Sequence, residues 1–181
     1  DAYDINSSVY VEGIGTLDKQ ADVNDGFMYG EKDTGIVAKV KLGSERIAKR
    51  AMKIKTKKGP DFEINTLTID VFGFSRGAAA ARHFVYQASK SGQKVPYIAP
   101  YGYLGAELEK KGVKYKLLKI RFLGLFDTVS SYSEDVWTTS PNFSNDVEQL
   151  KLDEITKAKK IVHFVAENEH RENVDLTNVA V

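Results

Sequence analysis

The chain has 181 residues, of which 42% are hydrophobic and 28% charged, and its formal net charge is +1 at pH 7. These values predict one globular domain with a real core, and a charge this close to zero gives no reason to expect nucleic-acid binding. Cysteine is absent from the sequence, which excludes disulfides, thiolate catalysis and thiolate metal sites. We expect neither a signal peptide nor a membrane span, because no apolar run approaches the necessary length.

The first third of the chain predicts little regular structure before one long helix. Val9 to Val11 is typical of a brief strand, and residues 17–35 are polar and glycine-dotted, which predicts a loop. The acidic residues of that loop lack calcium-loop spacing. Residues 36–54 carry apolar side chains at helical spacing, with a possible interruption at Gly43 and Ser44. Residues 53–58, KIKTKK, are expected to form a solvated basic loop, the alternative being a contact with phosphate headgroups.

The most informative stretch is residues 65–89, NTLTIDVFGFSRGAAAARHFVYQAS. Its first part is rich in β-branched and aromatic residues, which predicts a central strand, and its alanine-rich second part predicts a helix. Between them, residues 73–77 match Gly-x-Ser-x-Gly, the nucleophile elbow of serine hydrolases, with Ser75 at the apex. The alternative interpretation is a structural Gly-Ser-Gly turn in a Rossmann-like sheet.

Elbow chemistry explains this spacing. A serine in strained backbone geometry projects its hydroxyl above the sheet, and we expect any side chain at Gly73 or Gly77 to collide with the neighbouring strand or helix. The backbone N–H of Arg76 would lie at the helix N-terminus, where it can donate to an oxyanion that forms over Ser75. Ser75 is therefore the candidate nucleophile and Arg76 the candidate oxyanion donor.

A second strand ends in a candidate acid. A short helix over residues 104–111 is expected to end at Gly112, and residues 116–126, KLLKIRFLGLF, predict a buried strand followed directly by Asp127. The carboxyl ends of parallel strands share one edge of a sheet, so Asp127 would lie beside Ser75. Chain order agrees, because α/β-hydrolases run Ser, then Asp or Glu, then His. The alternative is an Asp N-cap on the next turn.

The last third predicts a loop, a helix and a strand. Residues 130–147, which include Trp137, form either a cover over the site or a plain surface loop. Residues 148–160 have helical apolar spacing, and residues 161–166, IVHFVA, read as a buried strand. Helices between apolar strands predict an α/β fold with a mostly parallel sheet. The Gly-x-Ser-x-Gly elbow indicates that this fold is of the α/β-hydrolase type.

A Ser–Asp pair needs a histidine, and the chain has three. His83 lies two helical turns beyond Ser75 and is expected to be structural. His163 lies inside a strand pattern, where its ring would be fixed between layers. His170 follows that strand in a charged turn and comes after Asp127, so it is the candidate base on spacing alone.

Several segments resemble one known family. GFSRGAAAARHF, with FLGLFDTVSS some distance on, is similar to the catalytic domain of the type VI secretion lipase effectors, the Tle1-like phospholipases. Residues 10–16 are similar to that family's Tyr-x-x-Gly-Val-Gly-Thr segment. Residues 163–171 are similar to its His-x-x-x-x-Asp-Glu-x-Arg segment, with Asn168 in place of the usual aspartate. The resemblance implies that Ser75 is the nucleophile and Asp127 the triad acid, and that His163 and Arg171 shape the fold or site.

The same resemblance implies that residues 1–181 are one incomplete catalytic domain. The family's opening strand with Phe-Asp-Gly-Thr, and its later His-Ser-Asp-Val-Gly-Gly-Gly-Tyr segment with the catalytic histidine, have no counterpart in this sequence. We therefore expect the base to lie beyond Val181, the alternative being that His170 serves. The chain by itself is expected to show little or no turnover.

The resemblance further implies a serine phospholipase that acts on membrane glycerophospholipids and needs no metal or organic cofactor. Its expected partners are a phospholipid surface and a secretion-apparatus or immunity protein, with no nucleic acid. The resemblance also implies that the protein is made in the bacterial cytoplasm and delivered to the periplasm or membrane of a target cell. Two alternatives stay open, namely another serine acyl hydrolase (a carboxylesterase or thioesterase) and a non-catalytic α/β binding module.

Overall fold

A computed structural model describes residues 5–14, 35–90, 102–129 and 151–166 of the chain. Its helices and strands are, in chain order, α1 (Ile36–Lys58), β1 (Ile64–Phe74), α2 (Arg76–Ser89), α3 (Gly102–Lys110), β2 (Tyr115–Phe126) and β3 (Lys160–Phe164). The strand, turn and helix predicted from residues 65–89 are all present, and so are the two later strands. In the described sheet, however, β1 lies at an edge and not at the centre, and β3 is partly and not fully buried.

The three strands form a parallel sheet in the order β1-β2-β3. Phe74 pairs with Phe126, and Phe126 pairs with Phe164, so all three strands end at the same level. The predicted α/β class is therefore confirmed as a small parallel sheet with helices packed on it. Its assignment to the α/β-hydrolase fold stays a prediction.

Among the described residues, the helices pack on one face of the sheet, and the opposite face carries exposed aromatic side chains. The main core joins α1, α2, α3 and the inward side chains of β1 and β2, among them Val85, Leu104, Leu108, Leu123 and Leu125. On the opposite face Phe72 and Phe74 are 65% and 64% exposed, and Phe164 is 58% exposed. The Phe72 and Phe122 rings lie 5.3 Å apart, and those of Phe126 and Phe164 are stacked at 5.2 Å.

Helix α1 corrects two predictions. It runs without a break through Gly43 and Ser44, and it includes residues 53–58, so KIKTKK forms the last turns of a helix and not a basic loop. Ser44 remains compatible with the helix because its hydroxyl donates to the Val40 carbonyl at 2.8 Å. Lysines near a helix C-terminus interact favourably with the helix dipole, and α1 ends where Gly59 takes a φ of 106°.

The strand predicted at residues 9–11 does not form. This segment pairs with no strand of the described residues and is instead held against α1 by Arg46. One guanidinium nitrogen of Arg46 donates to the Tyr10 carbonyl at 2.6 Å and lies 3.0 Å from both carboxylate oxygens of Glu12. A side-chain clamp, not a β-ladder, therefore fixes the segment.

The helix predicted at residues 148–160 is also wrong within its described part. Residues 151–159 form consecutive turns, with backbone bonds such as Glu154 N to Lys151 O at 3.2 Å and Ala158 N to Ile155 O at 3.0 Å. Leu152 and Ile155 are nevertheless buried. Their spacing indicates only that both side chains are buried in the core. A pair of turns can bury them as well as a helix can.

Helix α3 agrees with prediction within two residues at its start and one at its end, and Gly112 follows it with a φ of 64°. The structure does not describe residues 17–34 and 130–147, nor His170 and Arg171, so what the sequence predicts for them stays a prediction. None of the described helices is long and apolar enough to cross a membrane. Within the same residues, no three potential metal ligands come together.

Candidate active site at the carboxyl edge of the sheet

Ser75 lies between the last residue of β1 and the first residue of α2, and its backbone is strained. Its φ of 55° and ψ of −127° fall where non-glycine residues are rare, at a typical cost of about 1–3 kcal/mol. Surrounding hydrogen bonds hold this conformation. The Ser75 amide donates to the Phe126 carbonyl at 2.8 Å, and the Ser75 carbonyl accepts from Ala78 at 2.9 Å and from Val129 at 3.3 Å. The turn is thus fixed both by α2 and by the chain that follows β2.

The two glycines that flank Ser75 have different surroundings. A Cβ on Gly73 would lie 2.3 Å from the Gly77 carbonyl oxygen and 2.6 Å from the Ala78 Cα, so glycine is required there. A Cβ on Gly77 would meet no atom of the described residues within 4 Å. The collision predicted from sequence is therefore found at the first glycine, and none appears at the second within the described part of the chain.

Asp127 lies one residue beyond the end of β2, at the same edge of the sheet as Ser75. Its φ is 46°, its backbone amide donates to the Phe164 carbonyl at 2.8 Å, and its Oδ1 accepts from the Ala166 amide at 2.5 Å. Since Phe74 and Phe126 are paired, Ser75 and Asp127 occupy equivalent positions on adjacent strands. The half-buried carboxylate therefore lies between the ends of β2 and β3.

Arg76 begins α2, and its amide belongs to the first helical turn. Amides in that turn have no intrahelical acceptor and sit at the positive end of the helix dipole. The first residue after Ser75 thus supplies a backbone N–H of the kind that stabilises an oxyanion.

Two of the three histidines lie in the described residues, and they occupy different environments. His83 is buried in α2, with its Nε2 3.4 Å from the Gln87 amide nitrogen and its ring 6.3 Å from that of Tyr103. His163 lies on β3, with its Nε2 3.0 Å from the Thr128 hydroxyl and 3.4 Å from the Thr128 amide. Burial, followed by the positive charge of Arg82, lowers the pKa of His163, while the Asp127 carboxylate acts in the opposite direction.

The contact between His163 and Thr128 was not anticipated from the sequence. Thr128 is fully buried directly after Asp127. Only the strand register, which pairs His163 with Leu125, brings the two side chains together across a gap of 35 residues. No local sequence signal could have indicated it.

An apolar cleft of about 780 Å³ opens beside Ser75. Consecutive residues 69–74 of β1 line it, so the cleft runs along the edge of this strand that no described strand covers. Other lining residues come from residues 9–14, from α1 and from α2, and they include the charged Glu12, Lys39 and Arg76 besides apolar and small residues such as Val40, Ile47 and Phe84. The clamp between Arg46 and Glu12 holds residues 9–14 over this cleft, and its hydrogen bond is the main cause of the lowered pKa of Glu12.

Comparisons with known proteins give one informative similarity. No family model and no curated protein matches the chain. A solved structure of "the Tle1 effector bound to the VgrG spike from the Type 6 secretion system" matches with 33% sequence identity and a TM-score of 0.56. The chain is similar to a Tle1 effector. The match covers 80% of this chain but only 27% of that one, so the chain spans about a quarter of the Tle1 effector's length.

A second solved structure, an uncharacterized protein from Pseudomonas aeruginosa, matches with 22% identity and a TM-score of 0.34, over 81% of this chain and 19% of that one. This second match is too distant to bear on function. The Tle1 match supports the relationship to type VI secretion lipase effectors that the Gly-x-Ser-x-Gly and Phe-Asp-Thr-Val segments predicted. The individual roles of Ser75, Asp127, Arg76 and His170 stay predictions.

Proposed function

We propose that this chain carries the nucleophile and the acid of a serine ester hydrolase, of the phospholipase effector type. The observation that carries the proposal is the strained Ser75, with φ 55°, beside Asp127 on the adjacent strand of a parallel sheet. A strained non-glycine residue persists only where its surroundings hold it, and such residues cluster at active sites. The similarity to a Tle1 effector supports a lipase effector role.

In this mechanism the Ser75 hydroxyl attacks the ester carbonyl carbon, and a histidine takes the hydroxyl proton. Asp127 orients that histidine and stabilises its positive charge. The Arg76 amide donates to the oxyanion of the tetrahedral intermediate, and one such donor contributes about 3–4 kcal/mol to transition-state stabilisation. As the intermediate collapses, the alcohol leaves with the histidine's proton, and water then releases the fatty acid by the same steps.

The base comes either from His170 or from a residue that this sequence does not contain. His83 is engaged within α2, and the Nε2 of His163 faces Thr128. The Asp127 carboxylate already accepts one hydrogen bond, from Ala166. Ala166 lies two residues beyond the end of β3, so we propose that the chain after residue 166 supplies the triad histidine.

The proposed substrate is a membrane glycerophospholipid. The cleft beside Ser75 is lined mainly by apolar side chains of α1, α2 and β1, which suits an acyl chain better than a charged or sugar substrate. The Tle1 effector was solved bound to the VgrG spike, and we extend this to a secretion-apparatus partner that would deliver the protein to a target cell.

The test is labelling of the full-length protein with a fluorophosphonate, with Ser75→Ala as the control. Labelling at Ser75 that vanishes in the control is expected. An intact fold without labelling would refute the hydrolase and favour a non-catalytic binding module. Release of fatty acid from phosphatidylethanolamine–phosphatidylglycerol vesicles, compared with hydrolysis of a short soluble ester, separates a phospholipase from a carboxylesterase.

The source of the base is tested separately. The 181-residue chain is expected to show little turnover, because it lacks the predicted histidine segment. If its turnover approaches that of the full-length protein and is lost on His170→Ala, His170 is the base and the idea of an incomplete domain is wrong.

A further inference from the structure

The turn that carries Asp127 is attached to β3 through the next residue, Thr128. Thr128 is fully buried, and both its hydroxyl and its backbone amide face the Nε2 of His163, at 3.0 and 3.4 Å. The residue after it, Val129, donates its amide to the Ser75 carbonyl at 3.3 Å. Thr128 therefore lies between Asp127, which carries the carboxylate, and Val129, which binds the turn that contains Ser75.

The contact with the Thr128 amide determines the form of the imidazole. A backbone N–H can only donate, so the Nε2 that faces it must offer its lone pair, and the ring proton must be on Nδ1. A doubly protonated ring would place a second N–H against the buried amide of Thr128. Arg82 from α2 and Asp127 are the charged groups that act on this ring in the described residues, with opposite effects on its pKa.

We propose that His163, as a neutral imidazole, is a positioning residue that holds the Asp127 carboxylate in place by binding Thr128. This inference rests on the triad role proposed for Asp127. The positive φ of Asp127, 46°, is uncommon for a non-glycine residue, and two bonds hold it directly, from its amide to the Phe164 carbonyl and from the Ala166 amide to its Oδ1. The inference adds a third requirement, that the following residue, Thr128, is also fixed. His163 supplies that fixation from a separate strand, and its loss displaces both the carboxylate and, through Val129, the serine turn.

The first test reads the hydrogen bond directly and does not depend on hydrolysis. Histidine side chains of the full-length protein, labelled with ¹⁵N, are observed by NMR, and the His163 signals are assigned by their loss in His163→Gln. We expect the neutral tautomer protonated on Nδ1 at pH 7. A tautomer protonated on Nε2, or a charged imidazolium, at that pH would overturn the inference.

The second test compares rates of fluorophosphonate labelling of Ser75. His163→Phe keeps a ring but removes the acceptor, and we expect labelling to slow about 10- to 100-fold, as for a catalytic group displaced by about 1 Å. His163→Gln restores an acceptor at a similar reach and should recover most of that loss. With substrate, His163→Phe should lower kcat and leave KM nearly unchanged. His83→Gln removes a buried histidine from α2 and serves as the matched control.

The outcomes separate the two proposals. A wild-type protein that is not labelled would refute the hydrolase, and the role of Asp127 with it. A labelled wild type with equal rates in His163→Phe and in the control would refute the positioning role alone. Equal losses in His163→Phe and His163→Gln would mean that ring packing, and not the bond to Thr128, is what matters, which also overturns the inference.

Discussion

The two glycines beside Ser75 offer a sharp test, because the motif treats them alike and their surroundings differ. In Gly73→Ala the new Cβ would lie 2.3 Å from the Gly77 carbonyl oxygen, well short of the 3.4 Å at which ordinary van der Waals contacts begin. The atoms in its way are backbone atoms of the first turn of α2, which cannot rotate aside. This turn also donates the bond from Ala78 to the Ser75 carbonyl.

The magnitude follows from these contacts. Overpacking against fixed atoms costs about 1–3 kcal/mol, and loss of the Ala78 hydrogen bond adds about 1 kcal/mol, so Gly73→Ala should reduce the free energy of unfolding by about 2–4 kcal/mol. Gly77→Ala meets no described atom within 4 Å and lies inside a helix. There, replacing glycine by alanine typically raises the free energy of unfolding by about 0.4–1 kcal/mol.

The assay is urea unfolding of the full-length protein, followed by far-ultraviolet circular dichroism, with fluorophosphonate labelling as the second readout. Gly73→Ala should unfold at lower urea and lose labelling, whereas Gly77→Ala should unfold at slightly higher urea and keep its labelling. Equal destabilisation by the two substitutions would refute the unequal roles that the structure gives to the two glycines. Both glycines would then be required for the fold, as the Gly-x-Ser-x-Gly motif alone suggests. A Gly73→Ala variant as stable as the wild type would refute the described geometry of the turn.

Three further predictions concern the serine, the cleft and pH. Ser75→Gly should abolish labelling yet raise the free energy of unfolding by up to about 2 kcal/mol, because relief of the strain at φ 55° outweighs the entropy cost of glycine; a loss of stability in urea unfolding would contradict this. Glu12→Gln should cost about 0.2–1 kcal/mol by weakening the clamp with Arg46, and urea unfolding at low and high salt should show the difference shrinking as salt rises. For His163, burial lowers the folded-state pKa below the ordinary 6.5, so the unfolded chain binds more protons. The stability that this residue contributes should be complete above pH 6.5 and decline as the pH falls below it; a pH dependence of urea unfolding unchanged in His163→Gln would contradict this.

The sequence predicted secondary structure best where residues close together in the chain determine it. The β-branched residues before Ser75 and the alanines after it predicted β1 and α2, and the apolar run before Asp127 predicted β2. The parallel arrangement of these strands, and the position of Asp127 at the same sheet edge as Ser75, followed from general rules for parallel sheets.

Errors arose where one local pattern fits two structures. The lysines of residues 53–58 are good helix formers as well as loop residues, and only the packing of α1 decides between the two. The spacing of Leu152 and Ile155 fits both a helix and a pair of turns. The contact between His163 and Thr128 depends on strand register across 35 residues, which no local pattern contains.

The edge of β1 along the cleft has a practical consequence for work with the purified chain. Over residues 69–74 this edge faces the cleft, and no strand of the described residues pairs with it there. Exposed strand edges recruit further strands, from another molecule or from an added peptide. Self-association of the 181-residue chain would therefore fill the groove beside Ser75, and sedimentation velocity should show an oligomer at high protein concentration that dissociates on dilution.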